Sequence, residues 1–291
     1  MPTRTVRTAD GRALAVGEGG DPAGRPVVVH HGTPSSGALY ASWERAAAEQ
    51  GIRLIGFDRA GYGGSTRAHG RDVAHVAGDV TAIADELGLE RFATWGISGG
   101  GPHALACAAL CDERLVAAAS LAGVAPWDAD GLDWLAGMGE GNLIEFDLAV
   151  TGEEALAPAL EDERAALVAA TPDQLVELLS TLLGQADRAV LTGAFAAWLV
   201  ESTACGLESS AAGWVDDDLA FAKPWGFEPA AIERPVLVVQ GGDDRFVPPG
   251  HGAWLAERVP GAEALLDDAD GHLTLIENRV PEVHEWLLRQ F

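Results

Sequence analysis

The sequence predicts an α/β fold: a mostly parallel central sheet with helices on both faces, interrupted by an inserted helical cap subdomain. Three observations carry this. Short apolar runs that end in Gly- or Asp-containing turns alternate with helical patterns. The long stretch 124–232 breaks the alternation and shows helical patterns only. A lone serine stands among four glycines, in Gly96-Ile97-Ser98-Gly99-Gly100-Gly101, where an apolar run gives way to an alanine-rich one. At 291 residues the chain has room for one large domain with a sizeable insertion. With 48% hydrophobic residues it can bury a real core, which excludes a disordered chain.

The elements follow in order. Thr3–Val16 reads as two short strands around Asp10-Gly11, a hairpin turn signal. Pro26–His30, Arg53–Asp58, Phe92–Ile97, Leu115–Leu121 and Pro235–Gln240 are continuous apolar runs of the kind a parallel sheet buries on both faces. Helical patterns fall at Gly37–Gln50, Val73–Leu87, His103–Cys111 and Gly252–Arg258. Strand signals stop at Val124-Ala125-Pro126-Trp127 and resume only at Pro235. A helical block of that length is too long for a connection. The expected organisation is therefore a core of residues 1–123 and 233–291 with a cap (lid) insertion at 124–232.

Net charge and cysteine usage bound the partners. Nineteen basic against 44 acidic residues give a net charge of −25. Such a surface repels phosphate backbones and anionic lipids, so nucleic-acid and membrane partners are not expected. Solubility is the plain account of the acidity. Cys107 and Cys111 stand four apart in an Ala/Leu run and read as reduced packing residues, with Cys205 alone elsewhere. No secretory h-region opens the chain and no run reaches the length of a membrane span, so a cytoplasmic location is expected.

The glycine-lined serine admits two readings. A dinucleotide fingerprint needs a different glycine spacing and an acidic residue about 20 positions on; the following run, LVAAASLAG, ends without one. The second reading is the nucleophile elbow G-x-S-x-G, met by Gly96-Ile97-Ser98-Gly99-Gly100. There a strained strand-to-helix turn exposes the serine. Glycines two residues before and after it leave the space that side chains would fill. A serine hydroxyl is a weak nucleophile, so the chemistry needs an imidazole to take its proton and a carboxylate to orient that imidazole. In chain order serine, acid, histidine, two neighbouring carboxylates follow PVLVVQ: Asp243 and Asp244, of which Asp244 is preferred, the other being expected to bind turn backbone N–H groups. Asp128 and Asp130 are a remote third choice. His272 follows in DGHL, behind Gly271, while His103, His251 and His284 read as ordinary structural histidines. The loop after PVVVH reads His31-Gly32-Thr33-Pro34 and offers the Thr33 N–H as one oxyanion donor, beside the Gly99 N–H directly after the nucleophile.

With "HHGTP", "GISGGG", "GGDDRFVP" and "DGHL" in this order, the chain resembles the α/β-hydrolase superfamily over nearly its whole length. A fifth piece, DRAGYGGS at Asp58–Ser65, looks like that family's glycine turn after the fourth strand, which is usually structural. The resemblance favours Asp244, because the family's acid is commonly followed by two residues and then Val-Pro. Ser98 implies the serine-nucleophile branch; branches that open epoxides or remove halides carry aspartate there. Proline iminopeptidases look similar in size and cap acidity but usually show a double-glycine oxyanion motif and Trp after the nucleophile, where this chain has Thr33 and Gly99. Cofactor-free haloperoxidase-like enzymes and carbon–carbon bond hydrolases often carry Met after the serine. The reading with fewest departures is a hydrolase of a small or medium, largely uncharged carboxylic ester, working through an acyl-enzyme with no metal or organic cofactor. Its alternatives are a proline-iminopeptidase-like amidase or aminopeptidase and a ligand-binding relative with negligible turnover.

The cap is expected to roof the pocket. Trp127, Trp134, Trp198 and Trp225-Gly226-Phe227 are the candidate apolar walls. The acidic cap residues Glu153, Glu154, Glu161, Asp162 and Glu163 are expected on a solvated face. The expected partner is a small-molecule substrate; self-association as a homodimer is left open.

Overall fold

The computed structural model describes residues 4–291. The expectation that the first strand begins at Thr3 therefore falls outside the described residues. Eight strands form one sheet: β1 (Arg4–Arg7), β2 (Ala13–Gly20), β3 (Arg25–His30), β4 (Ile52–Phe57), β5 (Phe92–Ile97), β6 (Leu115–Leu121), β7 (Val236–Gly241) and β8 (Glu263–Asp267). Their spatial order is β1-β2-β4-β3-β5-β6-β7-β8. The first two are antiparallel to their neighbours, and every pairing from β4 onward is parallel. Burial explains the two strand patterns in the sequence. All six residues of β5 and of β7 are buried, as a central strand covered on both faces requires. Only Val6 is buried in β1, and the edge strand β8 has none.

The core helices are α1 (Ala41–Gln50), α2 (Val76–Glu86), α3 (Gly100–Leu110), α10 (Pro249–Arg258), α11 (His272–Asn278) and α12 (Val280–Leu288). Two of them start later than the apolar pattern predicts. The Gly37 N–H is drawn to Asp58 Oδ1 at 2.8 Å, which keeps residues 35–40 irregular until Ala41. The His75 N–H is taken by Asp72 Oδ1 at 3.0 Å, a local turn that precedes the helix at Val76. In contrast α3 starts earlier than expected, inside the glycines. Cys107 on α3 and Cys111 directly after it are buried and unpaired, while Cys205 is exposed.

Between β6 and β7 the chain contains no strand. It forms α4 (Glu140–Thr151), α5 (Glu153–Val168), α6 (Pro172–Leu178), α7 (Gln185–Val190), α8 (Gly193–Gly206) and α9 (Ala212–Phe221), then a single 3-10 turn at Pro229–Ala231. Thr171 caps α6 with a reciprocal Thr171–Gln174 capping box, and Pro172 occupies the first turn, where no N–H is needed. α5 packs on α8 and α9, and Leu156, Leu160 and Phe195 of the block join one hydrophobic core with the sheet. No helix among the described residues is long and apolar enough to cross a membrane.

Strand register delivers the candidate residues to one end of the sheet. His30 of β3 lies opposite Gly96 of β5, so the loops that follow, Gly32–Thr33 and Ser98–Gly99, emerge side by side. Ile97 pairs with Leu121, Leu121 with Val239, and Gly241 with Asp267. The loops after β7 and β8 thus leave the same carboxyl edge, where open α/β sheets bind ligands.

Candidate active site

Ser98 has φ +52°, a left-handed conformation uncommon for a residue with a side chain. Its neighbours explain how it is held. The Ser98 N–H donates to the Leu121 carbonyl at 2.8 Å, and the Ser98 carbonyl accepts from the Gly101 N–H at 2.8 Å. A Cβ at Gly96 would collide with the Gly100 backbone, and one at Gly100 with the His30 carbonyl. These are the two positions at which the elbow motif demands glycine. The helix that follows, α3, directs its first free N–H groups and partial positive charge toward the serine.

The candidate acid and base follow adjacent strands, β7 and β8. Asp244, 3% exposed, holds His272 Nδ1 at 2.8 Å through Oδ2. Because a carboxylate only accepts, Nδ1 carries the proton and Nε2 is the nitrogen left for a reacting group. Asp244 is itself fixed: Oδ1 accepts the N–H groups of Phe246 and Val247 at 2.9 and 2.8 Å, and Oδ2 accepts Gln240 Nε2 at 3.2 Å. Asp244, rather than Asp243, is the carboxylate that collects the turn's N–H groups. Asp243 packs on Gly184 and accepts the Ala186 N–H at the start of α7, at 3.5 Å. Asp128 and Asp130 are exposed and distant in role. His272 opens helix α11 instead of sitting in a loop, and its ring stacks on Phe246 with centroids 4.5 Å apart. Burial pulls the His272 pKa down, but the charge and hydrogen bond of Asp244, with the charge of Asp187, outweigh it and hold the imidazole above its ordinary value.

Thr33 and Gly99 face each other closely enough that a Cβ at Gly99 would strike the Thr33 side chain. Neither backbone N–H donates to another protein group among the described residues. Thr33 is pinned from elsewhere. Its Oγ1 donates to Asp217 Oδ2 of α9 at 2.6 Å and accepts Arg59 Nη2 at 3.0 Å. Arg59 also binds the His31 carbonyl and pairs with Asp217 at 2.6 Å. Tyr62 OH, Arg71 and His103 complete the Asp217 shell at 2.8, 2.6 and 3.1 Å. The two arginines hold the Asp217 carboxyl well below the usual carboxylate range despite its complete burial. Thus Arg59 of the DRAGYGGS turn ties the loop after β3 to the helical block.

A second carboxylate of that block reaches the histidine loop. Asp187 of α7, fully buried, accepts the N–H groups of His272, Leu273 and Thr274 at 3.0, 2.7 and 3.2 Å. Gly271 permits the approach, since a Cβ there would run into the Asp187 carboxylate. The sequence reading missed Asp187 and Asp217. For Asp217 a signal existed: Asp216-Asp217-Asp218 lies between Trp214-Val215 and Leu219-Ala220-Phe221, and a charged run inside an apolar helix is an unusual thing to bury.

Thr33, Ser98, Gly99 and His272 all line one cavity of about 160 Å³, closed from above by residues of α4, α5, α6, α8 and α9. Of the four tryptophans expected there, only Trp198 lines it, and Trp214 joins it instead. Trp134 turns its Nε1 to the Ala125 carbonyl at 2.7 Å and packs on His251 and Phe146; Trp127 packs on Trp134. Trp225 is buried beside Phe227 near Ala74. The three rings are taken up by packing away from the cavity, and Trp134 reaches the core helix α10 at His251. Glu163 is exposed, as the solvated-face expectation has it, and also lines the cavity, as do Glu145 and Asp218.

A family model described as alpha/beta hydrolase fold matches residues 25–152. A non-heme haloperoxidase of Rhodococcus erythropolis is 34% identical over 122 residues, which are 42% of this chain and 44% of that protein. The chain therefore matches less than half the length of this curated relative. An esterase from Thermogutta terrifontis superposes with TM-score 0.71 at 21% identity, covering 100% of this chain and 99% of the other. An alpha/beta hydrolase fold protein of Nakamurella multipartita gives TM-score 0.66 at 26% identity, covering 99% of each chain.

Proposed function

The chain belongs to the α/β-hydrolase superfamily, and from that premise we propose that it is a serine hydrolase that cleaves carboxylic esters of small or medium acyl size through an acyl-enzyme. The observation that carries the reading is one cavity holding a strained Ser98 together with a His272 whose Nδ1 is locked 2.8 Å from a buried Asp244.

Ser98 Oγ attacks the ester carbonyl while His272 Nε2 takes its proton. Asp244 keeps the proton on Nδ1 and stabilises the imidazolium that forms. The oxyanion receives the N–H groups of Thr33 and Gly99, aided by the N-terminal charge of α3. His272 then returns the proton to the leaving alcohol. In the second half it draws a proton from water whose oxygen attacks the acyl carbon, and returns that proton to Ser98 Oγ as the C–Oγ bond breaks and the acid departs. The helices between β6 and β7 act as the cap that limits acyl size: a cavity of 160 Å³ is comparable to one that holds benzene, about six heavy atoms.

A fluorophosphonate probe tests the assignment. The wild-type protein is expected to be labelled at Ser98 and to hydrolyse short p-nitrophenyl esters, while Ser98→Ala loses the label and about 10⁶ in turnover. Equal labelling of the two proteins overturns it.

A further inference from the structure

Asp217 stands on helix α9, in the block between β6 and β7, yet its side chain answers only to the core. Among the described residues its hydrogen-bond and ion-pair partners are Thr33, Arg59, Tyr62, Arg71 and His103, all from the chain before the block. Arg59 and Arg71 are buried, and among the described residues neither pairs with any other carboxylate. Burial alone would raise the Asp217 carboxyl; the two guanidinium charges keep it ionised. Charge balance accounts for the two arginine contacts. It does not account for Thr33, because a hydroxyl needs no counter-charge.

That hydroxyl completes a set of bonds that holds the loop after β3. Arg59 Nη1 donates to the His31 carbonyl, and Nη2 donates to Thr33 Oγ1 at 3.0 Å. The Arg59 backbone N–H donates to His31 Nε2 at 3.1 Å, so His31 Nδ1 carries the ring proton and donates it to the Gly32 carbonyl at 2.7 Å. Thr33 Oγ1 thus accepts from Arg59 and donates to Asp217 Oδ2 at 2.6 Å, which fixes its rotamer. The fixed side chain lies against Gly99, where a Cβ would strike it. Asp217 Oδ1 meanwhile accepts His103 Nε2 at 3.1 Å, in the first turn of α3, the helix that starts directly after Gly99. One oxygen therefore holds the loop that carries the Thr33 N–H, and the other holds the helix behind the Gly99 N–H. Oxyanion donors work only when set in advance, and a misplacement of about 1 Å can cost roughly 10² in rate.

We propose that Asp217 is a positioning residue for the reaction: from the helical block it sets the Thr33 and Gly99 N–H groups for the oxyanion, through Thr33 Oγ1 and His103. The block then completes the site as well as roofing it, and the two donors are in place only with α9 seated. This rests on Thr33 and Gly99 being the oxyanion donors of the Ser98 hydrolase proposed above.

Thr33→Val removes Oγ1 while keeping the backbone N–H and nearly the same shape; Thr33→Ser restores the hydroxyl. Asp217→Asn turns one of two acceptors into a donor, so one arm is lost whichever way the amide lies. Each variant is assayed on short p-nitrophenyl esters, per mole of Ser98 titrated with fluorophosphonate. Each is also assayed for binding of an alkyl trifluoromethyl ketone, whose adduct with Ser98 carries an oxyanion, and of the matching secondary alcohol, which forms no adduct. Thr33→Val and Asp217→Asn are expected to lower kcat and weaken the ketone by about tenfold or more, with KM and alcohol binding unchanged. Thr33→Ser is expected to stay within about threefold of wild type. A loss under about threefold in either Thr33→Val or Asp217→Asn, or an equal loss in Thr33→Ser, overturns the inference whatever the urea midpoint does: the contact then serves the fold alone. If one of the two variants does not fold, the other decides by the same readings. If the wild type takes no label at Ser98 and hydrolyses no ester, the hydrolase reading falls. Label and turnover intact, with Thr33→Val equal to wild type, remove the positioning role alone.

Discussion

The elbow at β5–α3 and the helix α9 both place functional groups in the cavity, by opposite means. At the elbow the geometry is made by the backbone. Glycines at 96 and 100 remove side chains that would collide with neighbouring carbonyls, and Ser98 is left in a left-handed turn. In α9 the backbone is an ordinary helix and the side chains make the difference. Successive residues on a helix point about 100° apart, so three aspartates in a row leave for three destinations. Asp216 pairs with Arg67 at 2.8 Å, Asp217 enters the Arg59–Arg71 shell, and Asp218 lines the cavity. A local backbone device leaves a readable motif; long-range side-chain pairing does not.

Four experiments would break or sharpen this contrast. Asp244→Asn has the largest expected effect, a loss of roughly 10⁴ in turnover, equivalent to about 5.5 kcal/mol of barrier, with the circular dichroism unchanged. Asp243→Asn is expected to stay within a few-fold of wild type, and the reverse result would exchange their roles. Next is Asp217→Asn, which leaves Arg59 and Arg71 buried without their counter-charge. Urea titration is expected to show a loss of about 3–5 kcal/mol; a change under 1 kcal/mol would mean that the block and the loop after β3 are held some other way.

Asp187→Ala removes the acceptor of three N–H groups at the start of α11. About 1–2 kcal/mol of stability should go with it, together with a several-fold lower kcat, measured by denaturation and by steady-state kinetics on one preparation. If stability falls and kcat does not, Asp187 supports the fold without orienting His272. The smallest effect is on pH. His272 must be neutral to accept a proton, and its pKa lies above the ordinary value. The acid limb of the kcat/KM profile is therefore expected to inflect above about 6.5, with activity rising as pH rises through it. An inflection below that value would show that burial, not Asp244, dominates the imidazole.

Legibility in the sequence tracks how far apart the partners are. The strands Phe92–Ile97 and Leu115–Leu121 fall where the apolar runs place them, because a strand buried on both faces admits little else. Helix α1 was read too early, since its first expected residues answer to Asp58, a residue in another loop. The choice of tryptophans went wrong for the same reason. Trp127, Trp134 and Trp225 share with Trp198 a helical, acidic neighbourhood in sequence, and only packing decides which ring meets the cavity. Glu163 is an exposed carboxylate of α5, and its place at the cavity follows only from α4 and α9 packing beside that helix.

The sequence alone determined the parallel sheet, the glycine-lined turn at Ser98 and the chain order of the candidate residues Ser98, Asp244 and His272, because strand and turn patterns are local and the sheet's topology brings successive loops to one edge. Tertiary structure alone decided which carboxylates are buried and what they do. A buried charge persists only when distant groups converge on it. Asp187 meets the histidine loop across 85 residues, and Asp217 meets Arg59 across 158. No local pattern encodes such meetings.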